Sequence, residues 1–293
     1  MGEIYAITCA IVWALAVMFF KRSGEDPVAG PLALNVYRIV VSMPLILITM
    51  IVTGTPILPS APVTDYGILL LSGLLGIAIA DTLFHRSLNL VGAGINAITG
   101  TCYSPFTILL AMLFLNERVG MADVLGMALI LGAVLLTSTL EMPEGRTRGD
   151  LFKGIGYGIA TILFLVVSII IVKPVLSRTS VLWAVAVRQF AALVVVLGAA
   201  LVSPRRTKIL AVLRPSPAWR FMLPGTFLGS YTSLILWIAG FKYTLASVAA
   251  ILTQSATVFI LIFAVIFLHE KMTKRKALAA CLAIAGVLLV TLL

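Results

Sequence analysis

Asp81 and His85 are four residues apart. On a helix that spacing puts a carboxylate and an imidazole on one face. Such a pair can hold an ammonium group or relay a proton. Arg86 beside them offers a plainer alternative, an ion pair near a helix end. Two further cations, Arg38 and Arg188, interrupt apolar stretches. A guanidinium presents a planar fork matched to a carboxylate, so either arginine could clamp an anionic group. Equally, each could tie helix ends together through backbone carbonyls. Trp13, Tyr103, Trp237, Gln189 and Gln254 also lie within apolar runs. Aromatic walls with a few amides suit a small amphipathic solute. The expected binding set is therefore Trp13, Arg38, Asp81, His85, Tyr103, Gln189, Trp237 and Gln254.

Other chemistries find no support. His-Glu-x-x-His, Gly-x-Gly-Asp and Gly-x-Ser-x-Gly are absent, and His269-Glu270 lacks a second histidine for a metal on one helical face. Two histidines and three cysteines without Cys-x-x-Cys spacing predict neither a metal site nor a disulfide framework. Cys9, Cys102 and Cys281 read as small apolar packing residues. Gly154-Ile155-Gly156-Tyr157-Gly158 resembles a phosphate loop only superficially, since no strand precedes it. No enzyme and no cofactor is expected. Channels use symmetric polar rings or a carbonyl filter, and neither is evident.

The elements that must position these residues follow from composition. The 293-residue chain is 61% hydrophobic and 11% charged, with a mean hydropathy of +1.15. Soluble domains are about a quarter charged, so a water-soluble protein is excluded. Apolar runs long enough to span a bilayer fall near 4–20, 31–51, 66–84, 92–115 and 121–139, then 153–172, 181–202, 220–240, 245–268 and 277–293. Strand-like alternation is missing, which argues against a β-barrel. The expected fold is an all-α integral membrane protein with ten transmembrane helices. The net charge of +10 is strung between these runs and forms no basic stripe. It predicts contact with a lipid bilayer and not with nucleic acid.

The chain also repeats itself. At an offset of 153, residues 84–136 overlay 237–289 without a gap, with 13 identities in 53 positions. Phe-Leu-Asn-Glu-Arg at 114–118 faces Phe-Leu-His-Glu-Lys at 267–271. The expected organisation is a five-helix repeat at 1–140, a linker at 141–152 and a second repeat at 153–293. An odd number of spans per repeat inverts the second copy, and inverted repeats place a substrate site between them near the midplane. A polar residue matched in both halves reads as structural, which covers Glu117 and Glu270 as caps or surface pairs. Asp81 faces Leu234 and His85 faces Ile238, so both are unmatched.

Trp13, Arg38, Ser104-Pro105-Phe106 and Glu117-Arg118 together resemble the ten-helix, EamA-type carriers of the drug/metabolite transporter superfamily. That resemblance spans the chain and implies a secondary transporter working by alternating access. It further implies export of amino acids, aromatic and neutral ones foremost. Nucleotide-sugar or multidrug carriers share the fold, and a lipid flippase or scramblase is the rival from another class. The first helix lacks the membrane-embedded glutamate of small multidrug relatives, so their coupling carboxylate does not carry over. Proton coupling remains one possible mode, and a monomer is expected to suffice.

Fifteen of the 21 basic residues fall in loops on one side and four on the side that holds both termini. Cytoplasmic loops carry the Lys/Arg excess. A bacterial inner-membrane location with both termini in the periplasm is therefore expected.

Overall fold

The computed structural model describes residues 1–23, 31–137, 147–268 and 273–292, and these contain helices and connections without a strand. The first half holds α1 (Gly2–Ser23), α2 (Pro31–Val52), α3 (Val63–Gly73), α4 (Ala80–Gly100), α5 (Tyr103–Leu115) and α6 (Met121–Thr137). The second holds α7 (Arg148–Leu176), α8 (Val181–Val202), the short α9 (Arg206–Leu210), α10 (Trp219–Thr226), α11 (Ser233–Tyr243), α12 (Ala246–Gln254), α13 (Ala256–Leu268) and α14 (Lys274–Leu292). Six stretches are long and apolar enough to cross a membrane: Gly2–Phe20, Leu32–Val52, Val63–Phe84, Arg148–Leu176, Val181–Val202 and Trp219–Tyr243. Four shorter apolar helices accompany them, Tyr103–Leu115, Met121–Leu136, Ala246–Ile260 and Ala277–Leu292. Large side chains such as Leu113, Phe114, Phe152 and Leu201 are exposed on their outer faces. A surface of that kind suits hydrocarbon and not water.

The repeat is written into helix irregularities as well as residues. Two π-helical stretches, Leu74–Ile79 and Phe227–Thr232, join α3 to α4 and α10 to α11. They start 153 residues apart, the same offset as the sequence repeat. The breaks before α5 and α13, at Cys102 and Ser255, keep that offset too. Packing exchanges partners between halves: α1 lies on α11 as α7 lies on α4, while α2 meets α8 and α6 meets α14. Elements at matching places in the two halves thus pack on one another.

α4 is helical throughout but not straight. The Ser87 hydroxyl donates to Asn96 Oδ1 at 2.9 Å, and both Ser87 and Thr99 face Gly158 of α7. Nine residues of straight helix would separate Ser87 from Asn96 by about 13.5 Å. The chain therefore turns back between them, where a connection between spans three and four was expected.

α7 opens at Arg148, inside the stretch expected as linker. A capping box sets that start: Asp150 N–H donates to Thr147 Oγ1 at 3.2 Å, and Thr147 N–H donates to the Asp150 carboxylate at 3.0 Å. Residues 141–146 of that linker lie outside the described residues, as do His269 and Glu270.

Close approach brings α3 onto α8. A Cβ at Gly73 would sit 2.2 Å from the Arg188 carbonyl oxygen, so only glycine lets the two backbones meet there. The largest core cluster lies towards the end of the molecule that holds residue 1. It includes Met50, Leu69, Ala111, Leu176, Trp183, Phe241 and Ala246. Packing is dense at this end, and the open space lies elsewhere.

Candidate functional site

That space is a cavity of about 390 Å³ lined by residues of both halves. A volume of this order suits a small molecule. Seven of the eight expected binding residues line it: Trp13, Arg38, Asp81, Tyr103, Gln189, Trp237 and Gln254. His85 lies one turn beyond Asp81 on α4, and its side chain is outside the described set. Arg188, weighed above as an anion clamp or a tie between helices, lines the same cavity.

The two arginines occupy comparable places with different company. Arg38 enters from α2 and its Nε donates to Ser230 Oγ, 2.7 Å away in the π-helical stretch of the other half. Its guanidinium lies over Trp13 at 5.7 Å and Phe20 at 5.0 Å. Asp81 is the carboxylate acting on it. Arg188 enters from α8, and its Nη1 donates to Ser72 Oγ just before the first half's π-helical stretch. Ser72 in turn donates to the Ser168 carbonyl at 2.7 Å. Trp237 covers the Arg188 guanidinium at 5.6 Å, matching Trp13 over Arg38.

Helix breaks supply the remaining polar contacts. The carbonyl of Gly100, just before the Cys102 break, accepts from Gln254 Nε2 at 2.9 Å. Gln254 itself precedes the matching break at Ser255. The first half thus offers backbone, and the second a side chain, where their helices are interrupted; exposed backbone at interrupted helices is common at transporter sites. Ser104 Oγ donates to the Ala250 carbonyl at 3.1 Å, while Pro105 takes an early position in α5 where its missing N–H costs nothing. Gln189 Nε2 donates to Ser42 Oγ at 2.7 Å.

The end that holds residue 1 is tied across elements by charged groups. Asn116 adopts a left-handed conformation, φ 54°, and ends α5. Glu117, next in the chain, is thereby turned onto the start of α12. Its carboxylate accepts from Ala246 N–H at 2.6 Å, Ser247 N–H at 3.0 Å and Ser247 Oγ at 2.7 Å. α12 begins after Leu245, which has no capping side chain, so Glu117 supplies the cap from the other half. Lys173 Nζ donates to the carbonyls of Phe241 and Thr244 at the end of α11. An anion at one helix start and a cation at the preceding helix end both complement the backbone dipoles. Lys242 donates to the Thr179 carbonyl, and Thr244 Oγ1 donates to Glu3 at 2.8 Å. Arg178 holds Asp65 through both carboxylate oxygens.

Several cavity residues escape the sequence argument. Asn35, Thr161, Ser230 and Ser233 all line it. Asn35 could have been found, since it stands three residues before Arg38 on the same helical face. The serines and Thr161 carry no signal in an apolar run.

Comparison with known proteins adds the family. The EamA-like transporter family matches residues 1–139 and again 152–292. The chain belongs to the EamA-like transporter family. As an EamA-like protein it is a multi-pass membrane transporter of small molecules, built of two copies of one unit. A crystal structure of a protein aligns with 99% of this EamA-like chain and 97% of its own, with a TM-score of 0.79 at 16% identity. That likeness concerns the fold alone. No curated protein matches the sequence.

Proposed function

We propose that the chain is a secondary transporter that exports amino acids, aromatic and neutral ones foremost, by alternating access. The carrying observation is the cavity of about 390 Å³ shared by both halves, with an acid, arginines, amides and indoles on one wall set. On this reading ten helices cross a bacterial inner membrane as two inverted five-helix repeats. Asp81 meets the substrate ammonium, with His85 near it. Trp13, Tyr103 and Trp237 enclose the side chain, while Arg38, Gln189 and Gln254 orient the polar end. One chain contains the whole cavity, so a monomer suffices.

The polar ties around Glu117, Lys173 and Asp65 close one end, and the cavity reaches towards the other through Asn35, Asp81 and Phe84. Alternating access then consists of breaking these ties as one half rocks against the other. Counterflow in liposomes containing the purified protein tests the proposal. Labelled aromatic amino acids should exchange and nucleotide sugars should not. Exchange confined to nucleotide sugars overturns the amino-acid reading.

A further inference from the structure

The two halves give their arginines unequal partners. Arg38 has Asp81 acting on it and Ser230 bonded to it. The repeat offset places Leu234 where Asp81 stands, and Leu234 lines the same cavity. Arg188 therefore lacks the acid that its counterpart possesses. Among the described residues no carboxylate acts on it, and its electrostatic neighbour is Tyr103. The side chain is 1% exposed, and its Nε and Nη2 have no hydrogen-bond partner. Buried donors are nearly always satisfied, so an orphaned pair calls for an acceptor.

Those two atoms form one edge of the guanidinium. Arg178 uses the same edge, Nε and Nη2, to grip both oxygens of Asp65 at 2.9 and 2.6 Å. Arg188 Nη1 is already held by Ser72, which fixes the plane and leaves the gripping edge unused. A fork fixed in this way selects a planar two-oxygen anion, and a buried site strengthens the contact. Charge points the same way. Asp81 offsets Arg38, and Arg188 leaves the cavity one positive charge in excess.

We propose that Arg188 anchors the carboxylate of the transported molecule, so the substrate class is organic acids including amino acids. This rests on the transporter reading above and deepens it. Both donors are occluded in this conformation, so the carboxylate reaches them through a rotamer change in the wall, of the kind binding commonly brings. Trp237 lies over the guanidinium and moves with it.

The test uses the purified full chain and two near-isosteric probes, 3-phenylpropionate and 3-phenylpropionamide. The acid should raise the melting temperature and change the tryptophan fluorescence, and the amide should do neither. Arg188→Gln should weaken the acid at least about tenfold, and Arg188→Lys, which keeps charge without the fork, should restore part of the loss. If Arg188→Gln fails to fold, Leu234→Asp replaces it; the installed acid should lower the affinity for 3-phenylpropionate. Equal binding of acid and amide by the parent chain, or no binding of either, overturns the proposal. So does a folded Arg188→Gln that still prefers the acid. Binding of the acid without counterflow of any amino acid would leave the anchor standing and remove the export reading alone.

Discussion

Arg178 Nε and Nη2 donate to Asp65 Oδ2 and Oδ1 at 2.9 and 2.6 Å, joining residues 113 positions apart in the chain. Asp65 lies in the first turn of α3 and is buried, while Arg178 lies in the turn after α7 and is half exposed. The contact fastens the first half to the second at the closed end.

Asp65→Asn should therefore open that end more often. Cys9 lines the cavity and is buried. In a background with Cys102→Ser and Cys281→Ser, a membrane-impermeant maleimide applied on the terminus side should label Cys9 several-fold faster in the variant. An unchanged rate would show that the fork does not hold the end shut.

Glu117 caps α12 from the other half, so its replacement should act on stability before specificity. Three hydrogen bonds to a buried carboxylate are at stake. A hydrogen bond to a charged group is worth about 1.5–3 kcal/mol. Glu117→Gln keeps one acceptor and should cost less than Glu117→Ala. Both should lower the melting temperature and the yield, with substrate preference unchanged in what survives. A changed preference at native stability would place Glu117 in the binding site.

Asp81 and Tyr103 should behave in the opposite way. Asp81→Asn leaves Arg38 without its carboxylate, and Tyr103→Ala removes a buried wall of the cavity. Each should reduce counterflow on the order of tenfold, equivalent to about 1.4 kcal/mol, while the detergent-extracted protein stays monodisperse. Parental transport rates in both variants would sink the proposed site.

Gly73→Ala places a methyl group against the backbone of α8 at Arg188. Overpacking of this kind costs typically about 1–3 kcal/mol. The variant should melt earlier, and 3-phenylpropionate should bind it more weakly because the guanidinium is displaced. A parental melting curve with parental binding would refute the close approach.

Much of this was legible in the sequence, for physical reasons. Bilayer spans demand long apolar runs, and ionisable residues inside such runs are costly, so Arg38, Asp81 and Arg188 stood out. The repeat showed because the Glu117 and Glu270 segments kept their residues. The symmetry is incomplete in one respect. Arg38 and Arg188 occupy comparable places, whereas the difference between Asp81 and Leu234 gives them unequal surroundings. The ties at the closed end were not legible, because Glu3 with Thr244 and Asp65 with Arg178 meet only after folding. Ser230 gave no sign, since a lone serine in an apolar run says nothing about which arginine it will meet.

Orientation is the remaining expectation, and it rests on the Lys/Arg distribution. A reporter fused after Leu293 should give active alkaline phosphatase and a dark cytosolic fluorescent protein, which puts both termini outside. The reverse pattern would turn the molecule over and make the closed end the cytoplasmic one.

The π-helical stretch at Leu74–Ile79 acts on this chain as a phase shifter. One residue more than an α-helix needs rotates everything beyond it by about 100° around the axis. Straightening the stretch to regular helix without losing a residue would turn Asp81 a quarter-circle or more out of the cavity, and the acid that offsets Arg38 would face a neighbouring helix. Removing a single residue there, for example Ile77, would let a regular helix form and keep Asp81 on the same face. The matching stretch at Phe227–Thr232 sets the angle of Trp237 over Arg188 in the same way. The sidedness of the cavity is thus a matter of residue count as much as residue identity, and alignments that close such a gap would erase it.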